Sequence, residues 1–277
     1  IGFNASDSKE EIVRLIETNH VGSKLKMIYA ETPANPTNDL IDIEMCSEIA
    51  AEYSTPEKKV MVTVDNTYMG PLWQHPLKHG ADIVLYSATK YIGGHSDLIA
   101  GAAIGSKAVI KEIKKSRTVF GTMIDPHTGW LLMRSLETMK IRMEAAAANA
   151  EKIARYLLTH DKVEKVYYLG FTHLNAPAQL PVLKKQYLSN GAMLSFDVKG
   201  GEKEAFTFLN NLKHIKLAVS LGGTESLAEH PFSMTHADVP AEEKIRLGLT
   251  DKMIRISIGI EYWQDIQADI EQALAAV

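Results

Sequence analysis

Cysteine is almost absent: Cys46 stands alone among 277 residues. No internal disulfide can form. Without a Cys/His cluster, a reducing cytoplasmic setting is expected. The ten histidines never take a metal-type spacing such as H-E-x-x-H, so no metal centre is expected. No apolar run approaches the ~20 residues that a membrane helix needs. Thirty Lys and Arg face 34 Asp and Glu, for a net charge of −4. No basic block or aromatic-interleaved basic stripe occurs, so nucleic-acid binding has no electrostatic support. Neither G-x-G-x-x-G nor G-x-S-x-G is present, which removes the dinucleotide fingerprint and weakens an α/β-hydrolase reading. Repeats and low-complexity tracts are missing as well. What remains is globular: 45% apolar and 23% charged residues, enough for a large core and one or two domains.

The first 125 residues alternate helical patterns with short apolar runs. Ser8–Thr18 reads as a helix with Ile12, Leu15 and Ile16 on one face. Leu25–Ala30, Lys59–Val64 and Ala81–Leu85 read as buried strands, and Ile99–Ile104 as a fourth. Leu40–Tyr53 reads as a helix capped by Asn38 or Asp39. Apolar strands separated by helices predict a mostly parallel sheet with helices on both faces. Ligand sites in such sheets lie beyond the carboxyl ends of the strands. From Gly129 to about His160 one long or bent helix is expected, bridging out of the first domain. Shorter elements follow: Val163–Tyr168, Ala192–Val198, Ala205–Leu212, Leu217–Ser220 and Met253–Ile258, then a helix from Trp263 to Val277. The division expected is a large domain over residues 1–145 and a smaller C-terminal α/β domain over 146–277.

Three positions carry candidate chemistry. Asp65 closes the run VTVDNT, and a carboxylate at the end of a buried strand is costly unless paired. It is either a turn or cap residue or the partner of a cation such as a protonated pyridine nitrogen. Lys90 follows strand Ala81–Leu85 in YSATKY, ahead of Gly93-Gly94-His95. It is either a solvated surface lysine or, desolvated at the sheet's mouth, an amine nucleophilic toward an aldehyde. Ser87 and Thr89 beside it offer hydroxyls to a phosphate, and the glycines read as a flexible segment. Arg255 sits inside the apolar strand MIRISIG and needs an anion, either an internal carboxylate or that of a substrate. His230 and His236 read as structural or hydrogen-bonding residues, Cys46 as a buried inert thiol, and the eleven methionines as core filler.

Five stretches occur in order: ETPANP (31–36), VDNT (64–67), SATKYIGGHSD (87–97), SLGGTESLAEHPFSMTH (220–236) and IRISIGIE (254–261). Together they resemble the Cys/Met-metabolism family of pyridoxal-phosphate enzymes, over essentially the whole chain. The resemblance implies a fold-type I aminotransferase-like architecture with pyridoxal 5'-phosphate as cofactor. Lys90 matches the Schiff-base lysine, and Asp65 the carboxylate that keeps the pyridine nitrogen protonated. Ser87 and Thr89 match phosphate ligands. Asn35 matches the asparagine near the ring's phenolic oxygen and the substrate. Arg255 matches the clamp on the substrate α-carboxylate, with Ser220 beside it, and Thr235 matches a residue that supports that arginine's region. A homotetramer built from catalytic dimers is implied too, with no nucleic-acid or membrane partner. One departure stands out: the family's N-terminal Tyr-x-Arg pair, glycine-containing phosphate loop and ring-stacking tyrosine have no counterpart in these residues. The chain opens at Ile1 with neither an initiator Met nor a targeting segment, and reads as a fragment of one of about 400 residues.

Within the family, the apolar Val219 before Ser220 suits a short apolar tail such as the S-methyl of methionine, because a charged distal group would go unpaired against it. The run from Glu229 to His236 resembles methionine γ-lyases. The stretch between Lys90 and Arg255 leaves no room for the long insertion of the sulfhydrylases. The expectation is α,γ-elimination of L-methionine to methanethiol, 2-oxobutanoate and ammonia. Cystathionine γ-lyase, cystathionine γ-synthase and homoserine-ester sulfhydrylase are the alternatives. A non-catalytic, cofactor-binding remnant is the rival from outside the enzymes.

Overall fold

A computed structural model describes residues 1–277. The chain builds two sheets. The first runs in the order β1 (Met27–Glu31), β2 (Met61–Asp65), β3 (Ile83–Ser87) and β4 (Gly101–Gly105). β1, β2 and β3 are parallel, whereas β4 pairs antiparallel with β3. Each parallel strand reaches one or two residues past its apolar run, so the polar residues Glu31, Asp65 and Ser87 end the ladder. Glu31 and Asp65 face each other in register.

α1 (Lys9–Thr18) begins with a capping box in which the Ser8 hydroxyl accepts from the Glu11 N–H and the Glu11 carboxylate accepts from the Ser8 N–H. α2 (Ile43–Glu52) crosses from β1 to β2, and its N-cap is Asp42 rather than Asn38 or Asp39. The reason is local. Asn38 takes a left-handed φ of 62°, and its side-chain amide donates to the Tyr167 and Met193 carbonyls, 3.1 and 3.3 Å away. That pins the segment as a link between the two sheets. Ile12 and Ile16 of α1 and Ile43, Cys46 and Ile49 of α2 pack on Ile28, Ala30, Val62 and Val64 to form one core. On β1 burial alternates strictly, leaving Met27 and Tyr29 exposed on the opposite face.

α3 (Gly70–Trp73) follows β2, and α4 (Lys107–Phe120) follows β4 with no buried residue. α5 (Pro126–Leu158) then runs for 33 residues, about 50 Å. Asp125 caps it and Pro126 occupies its first turn, where a missing N–H costs nothing. After β5 (Val163–Tyr167) come the short helices α6 (Thr172–Asn175) and α7 (Leu180–Gln186), then β6 (Met193–Val198) and α8 (Glu202–Asn211). β7 (Lys216–Leu217), β8 (Leu227–Glu229), α9 (Ala241–Arg246), β9 (Met253–Ser257) and α10 (Trp263–Ala275) complete the chain.

The second sheet has the order β5-β6-β9-β8-β7 and is antiparallel except for β7 with β8. β6 and β9 are buried along their full length. Helices α5, α8 and α10 pack against this sheet through Ala150, Ile153, Phe208, Ile270 and Ala273. The Ser195 hydroxyl on β6 donates to the Pro36 carbonyl, 2.8 Å away, in the loop after β1. No helix is long and apolar enough to cross a membrane.

Candidate active site

The carboxyl ends of β1, β2 and β3 open toward the antiparallel sheet, and the sequence-predicted residues gather at that mouth. Asp65 ends β2. Its Oδ1 accepts from the Thr67 N–H at 3.0 Å and the Thr67 hydroxyl at 2.6 Å. The Tyr29 hydroxyl reaches Oδ2 at 3.4 Å. These donors fix the carboxylate's orientation. Ser87, the last residue of β3, and Thr89, just beyond it, share with Asp65 an open cleft of about 940 Å³, whose other wall includes Lys114 and Arg117 of α4. The Thr89 hydroxyl accepts from the Ala100 N–H at 3.0 Å and donates to the Ala100 carbonyl at 3.3 Å, so it is tied to the start of β4.

Lys90 follows in a tight turn. Its Nζ donates to Ser220 Oγ, 3.2 Å away. Desolvation, with the Arg255 charge second, pulls its pKa below the usual lysine value, and Glu229 opposes the shift. The glycines that follow are packed rather than flexible. Gly94 has φ +73°, and a Cβ there would lie 1.8 Å from a nitrogen of Arg142.

Arg255, on β9, is 2% exposed. Its Nη1 lies 2.6 Å from Oε1 of the fully buried Glu229 and donates to Asn35 Oδ1 at 3.1 Å. Its Nη2 donates to the Val219 and Ser220 carbonyls at 2.9 and 3.1 Å. Nε is left without a partner, as is Glu229 Oε2. Arg255 therefore has an internal carboxylate and, in addition, a free buried donor. Thr235 donates to Glu229 Oε1 at 3.1 Å, so it supports the arginine's region through the carboxylate that pairs with it. Burial raises the Glu229 pKa, while Arg255 and Thr235 hold it down. The Tyr68 hydroxyl donates to Asn35 Oδ1, the oxygen that Arg255 also uses.

The structure thus brings Lys90, Ser220, Arg255, Asn35 and Thr235 into one hydrogen-bonded network, and Asp65, Ser87 and Thr89 into one cleft beside it. No direct contact joins Asp65 to Lys90. Several site residues were not singled out from the sequence: Glu31, Thr67, Tyr68, Arg142 and, as the partner of Arg255, Glu229. Although Glu31 as a whole is exposed, its carboxyl end is crowded. Desolvation and the neighbouring Asp65 charge raise its pKa to about 7, while an N–H from Asn35 opposes the shift. A signal existed, since two acids end successive buried strands, but the first strand was expected to stop at Ala30.

These groups suit a phosphorylated pyridine aldehyde: a carboxylate to accept from a protonated ring nitrogen, hydroxyls and cations for a phosphate, and an amine for the aldehyde. The buried, unpartnered Arg255 Nε–H suits an anion. The model of the Cys/Met metabolism PLP-dependent enzymes matches residues 6–275. The chain belongs to that family. It is 43% identical over 262 residues to L-methionine γ-lyase of Fusobacterium nucleatum subsp. polymorphum, a match covering 94% of this chain and 64% of the relative. It is 42% identical over 273 residues to cystathionine γ-lyase of Bacillus subtilis, covering 98% and 68%. The crystal structure of cystathionine γ-lyase from Lactobacillus plantarum complexed with L-serine superposes with a TM-score of 0.89 at 35% identity, covering 100% of this chain and 69% of that one. The chain therefore spans about two thirds of the length of these relatives. Pyridoxal phosphate is the family's cofactor, and the fold is that of the family's lyases and synthases.

Proposed function

We propose that this chain carries the machinery of a pyridoxal-phosphate-dependent carbon–sulfur lyase acting on a sulfur amino acid. The proposed reaction is α,γ-elimination: L-methionine and water give methanethiol, 2-oxobutanoate and ammonia. One observation carries the reading. The Lys90 amine touches the Ser220 hydroxyl, and the backbone of Val219 and Ser220 holds the Arg255 guanidinium. An amine and an anion-binding fork are thereby joined through two adjacent residues.

The residue roles follow from chemistry. Asp65 would meet the cofactor's ring nitrogen. Ser87 and Thr89 would hold its phosphate, with the cleft cations nearby. Asn35, whose amide oxygen is occupied, would offer its NH₂ to the phenolic oxygen. When bound, the cofactor supplies an electron sink for the pair left as the substrate Cα–H bond breaks. Lys90, with its lowered pKa, takes that proton as a neutral amine and hands it on. Arg255 anchors the α-carboxylate and uses the Nε–H that the protein leaves free. Glu229, steadied by Thr235, keeps the guanidinium oriented.

Val219 supports methionine over cystathionine, because its side chain offers no partner to a distal charge. The cofactor-loaded protein is expected to release 2-oxobutanoate and thiol from L-methionine and to process cystathionine poorly. A Val219→Glu variant is expected to narrow that gap. Faster turnover of cystathionine by the unaltered protein would refute the Val219 argument.

A large domain over residues 1–145 and a small one over 146–277 are also proposed, supported by the two separate sheets. Homotetrameric assembly is supported by the exposed apolar side chains Val119 and Phe120 at the end of α4, Met123 in the connection, and Trp130 and Met133 at the start of α5. The single free cysteine supports a cytoplasmic setting.

A further inference from the structure

Arg142 lies in the middle of α5 and is 7% exposed, yet it has no carboxylate partner. Burial alone shifts its pKa, and downward. A buried guanidinium without a counter-ion is costly, and an apolar side chain would fill the same volume more cheaply. Its donors are spent on the main chain. Nη1 donates to the Tyr91 carbonyl at 3.0 Å, and Nη2 reaches the Ile92 carbonyl at 3.5 Å. Nη2 also donates to the Ser135 carbonyl at 2.9 Å, and Nε to the Thr138 hydroxyl at 3.2 Å, which anchors the fork on its own helix.

The two carbonyls belong to the residues directly after Lys90. The rest of the turn is closed by its own backbone. Lys90 N–H donates to Ser87 at 3.1 Å, Gly93 N–H to Ala88 at 2.7 Å, and Gly94 N–H to Lys90 at 2.7 Å. The Tyr91 ring is buried edge-on against Trp73, with centroids 6.0 Å apart. Gly94 leaves the space that the guanidinium occupies. The carbonyls of Tyr91 and Ile92 have no backbone donor, so Arg142 is what fixes them.

We propose that Arg142 is a positioning residue for the Lys90 amine, acting through the Tyr91–Gly94 turn. This rests on Lys90 being the reactive amine. A reacting group displaced by about 1 Å can lose about 100-fold in rate without losing its ligand. Loss of the clamp should therefore lower kcat while leaving KM and cofactor content nearly unchanged.

The test compares the cofactor-loaded protein with Arg142→Met, Arg142→Lys and Gly94→Ala variants. Each is assayed with L-methionine and treated with borohydride, and the fraction of bound cofactor trapped on Lys90 is measured by peptide mass. Arg142→Met is expected to keep its cofactor and KM within about twofold, to lose about 100-fold in kcat, and to trap cofactor on Lys90 more slowly. Arg142→Lys, which can still reach one carbonyl, is expected to recover about tenfold of that loss. Gly94→Ala keeps the arginine but drives a methyl group into it, and should show the same kcat signature even if Arg142→Met fails to fold. Unchanged kcat and trapping in the folded variants would overturn the clamp. Absence of trapped cofactor in the unaltered protein would instead overturn the reading of Lys90 itself.

Discussion

The ion pair between Arg255 and Glu229 makes a quantitative prediction. The two side chains are 2% and 0% exposed and 2.6 Å apart. Glu229→Gln keeps the shape but removes the charge, leaving a guanidinium buried among the Asn35, Val219 and Ser220 oxygens. Breaking a buried pair from one side costs about 3–5 kcal/mol. The three neutral acceptors that remain place this case near the lower end. With an unfolding entropy of about 2.1 cal/mol/K per residue, a loss of ~3 kcal/mol lowers Tm by about 5 °C for a chain of this length. Arg255→Met leaves the opposite charge stranded, with only Thr235 to hold it. The double variant strands neither charge, so it should lose less than the sum of the two singles by at least ~2 kcal/mol. The assay is thermal and urea unfolding of cofactor-free protein, so that ligand binding adds nothing to the measured stability. Additive losses, to within ~0.5 kcal/mol, would refute the reasoning. Arg255→Met should also raise KM for the amino acid about 10- to 100-fold, the worth of hydrogen bonds to a charged group.

Two further outcomes follow from titration. The Glu31 carboxyl binds its proton more tightly in the folded state, with a pKa pushed up to about 7. Stability therefore falls as pH rises from the unfolded value toward 7 and stays reduced above it. Glu31→Gln should remove that decline, gaining Tm over the parent at pH 8 and not at pH 4, and parallel Tm–pH curves would contradict this. Cys46 is 1% exposed, and burial pushes its thiol pKa up to about 12. A disulfide reagent at pH 8 should label it only after urea unfolding, and rapid labelling of the folded protein would show the helix–sheet packing to be wrong.

The buried strands were legible because VMVTV and ADIVL are β-branched, apolar and short. Their ends were not, because the ladder continues through Glu31, Asp65 and Ser87, which an apolar pattern cannot register. Ile99–Ile104 has the composition of a strand, but the strand begins at Gly101 and runs antiparallel, a direction that residue pattern alone does not encode. The ordered motifs singled out Lys90, Asp65 and Arg255, and the fold sets Lys90 and Arg255 in one network with Asp65 in the cleft beside it. The internal carboxylate for Arg255 was invisible as such, because Glu229 lies on the neighbouring strand and only the register of β8 with β9 pairs them. Arg142 was hidden for a related reason. On a helix pattern a lone arginine looks like a solvated face, and only the fold shows backbone carbonyls around it. Gly93-Gly94 suggested flexibility, whereas at Gly94 the structure uses a missing side chain to make room.

The central claim is that the amine of Lys90 bonds the cofactor aldehyde. Borohydride reduction of the protein loaded with pyridoxal phosphate, followed by peptide mass mapping, tests it directly. The protein is expected to be yellow, to bleach on reduction and to carry the reduced cofactor on the peptide containing Lys90. A protein that stays colourless with added cofactor, or a label found on another lysine, would contradict it.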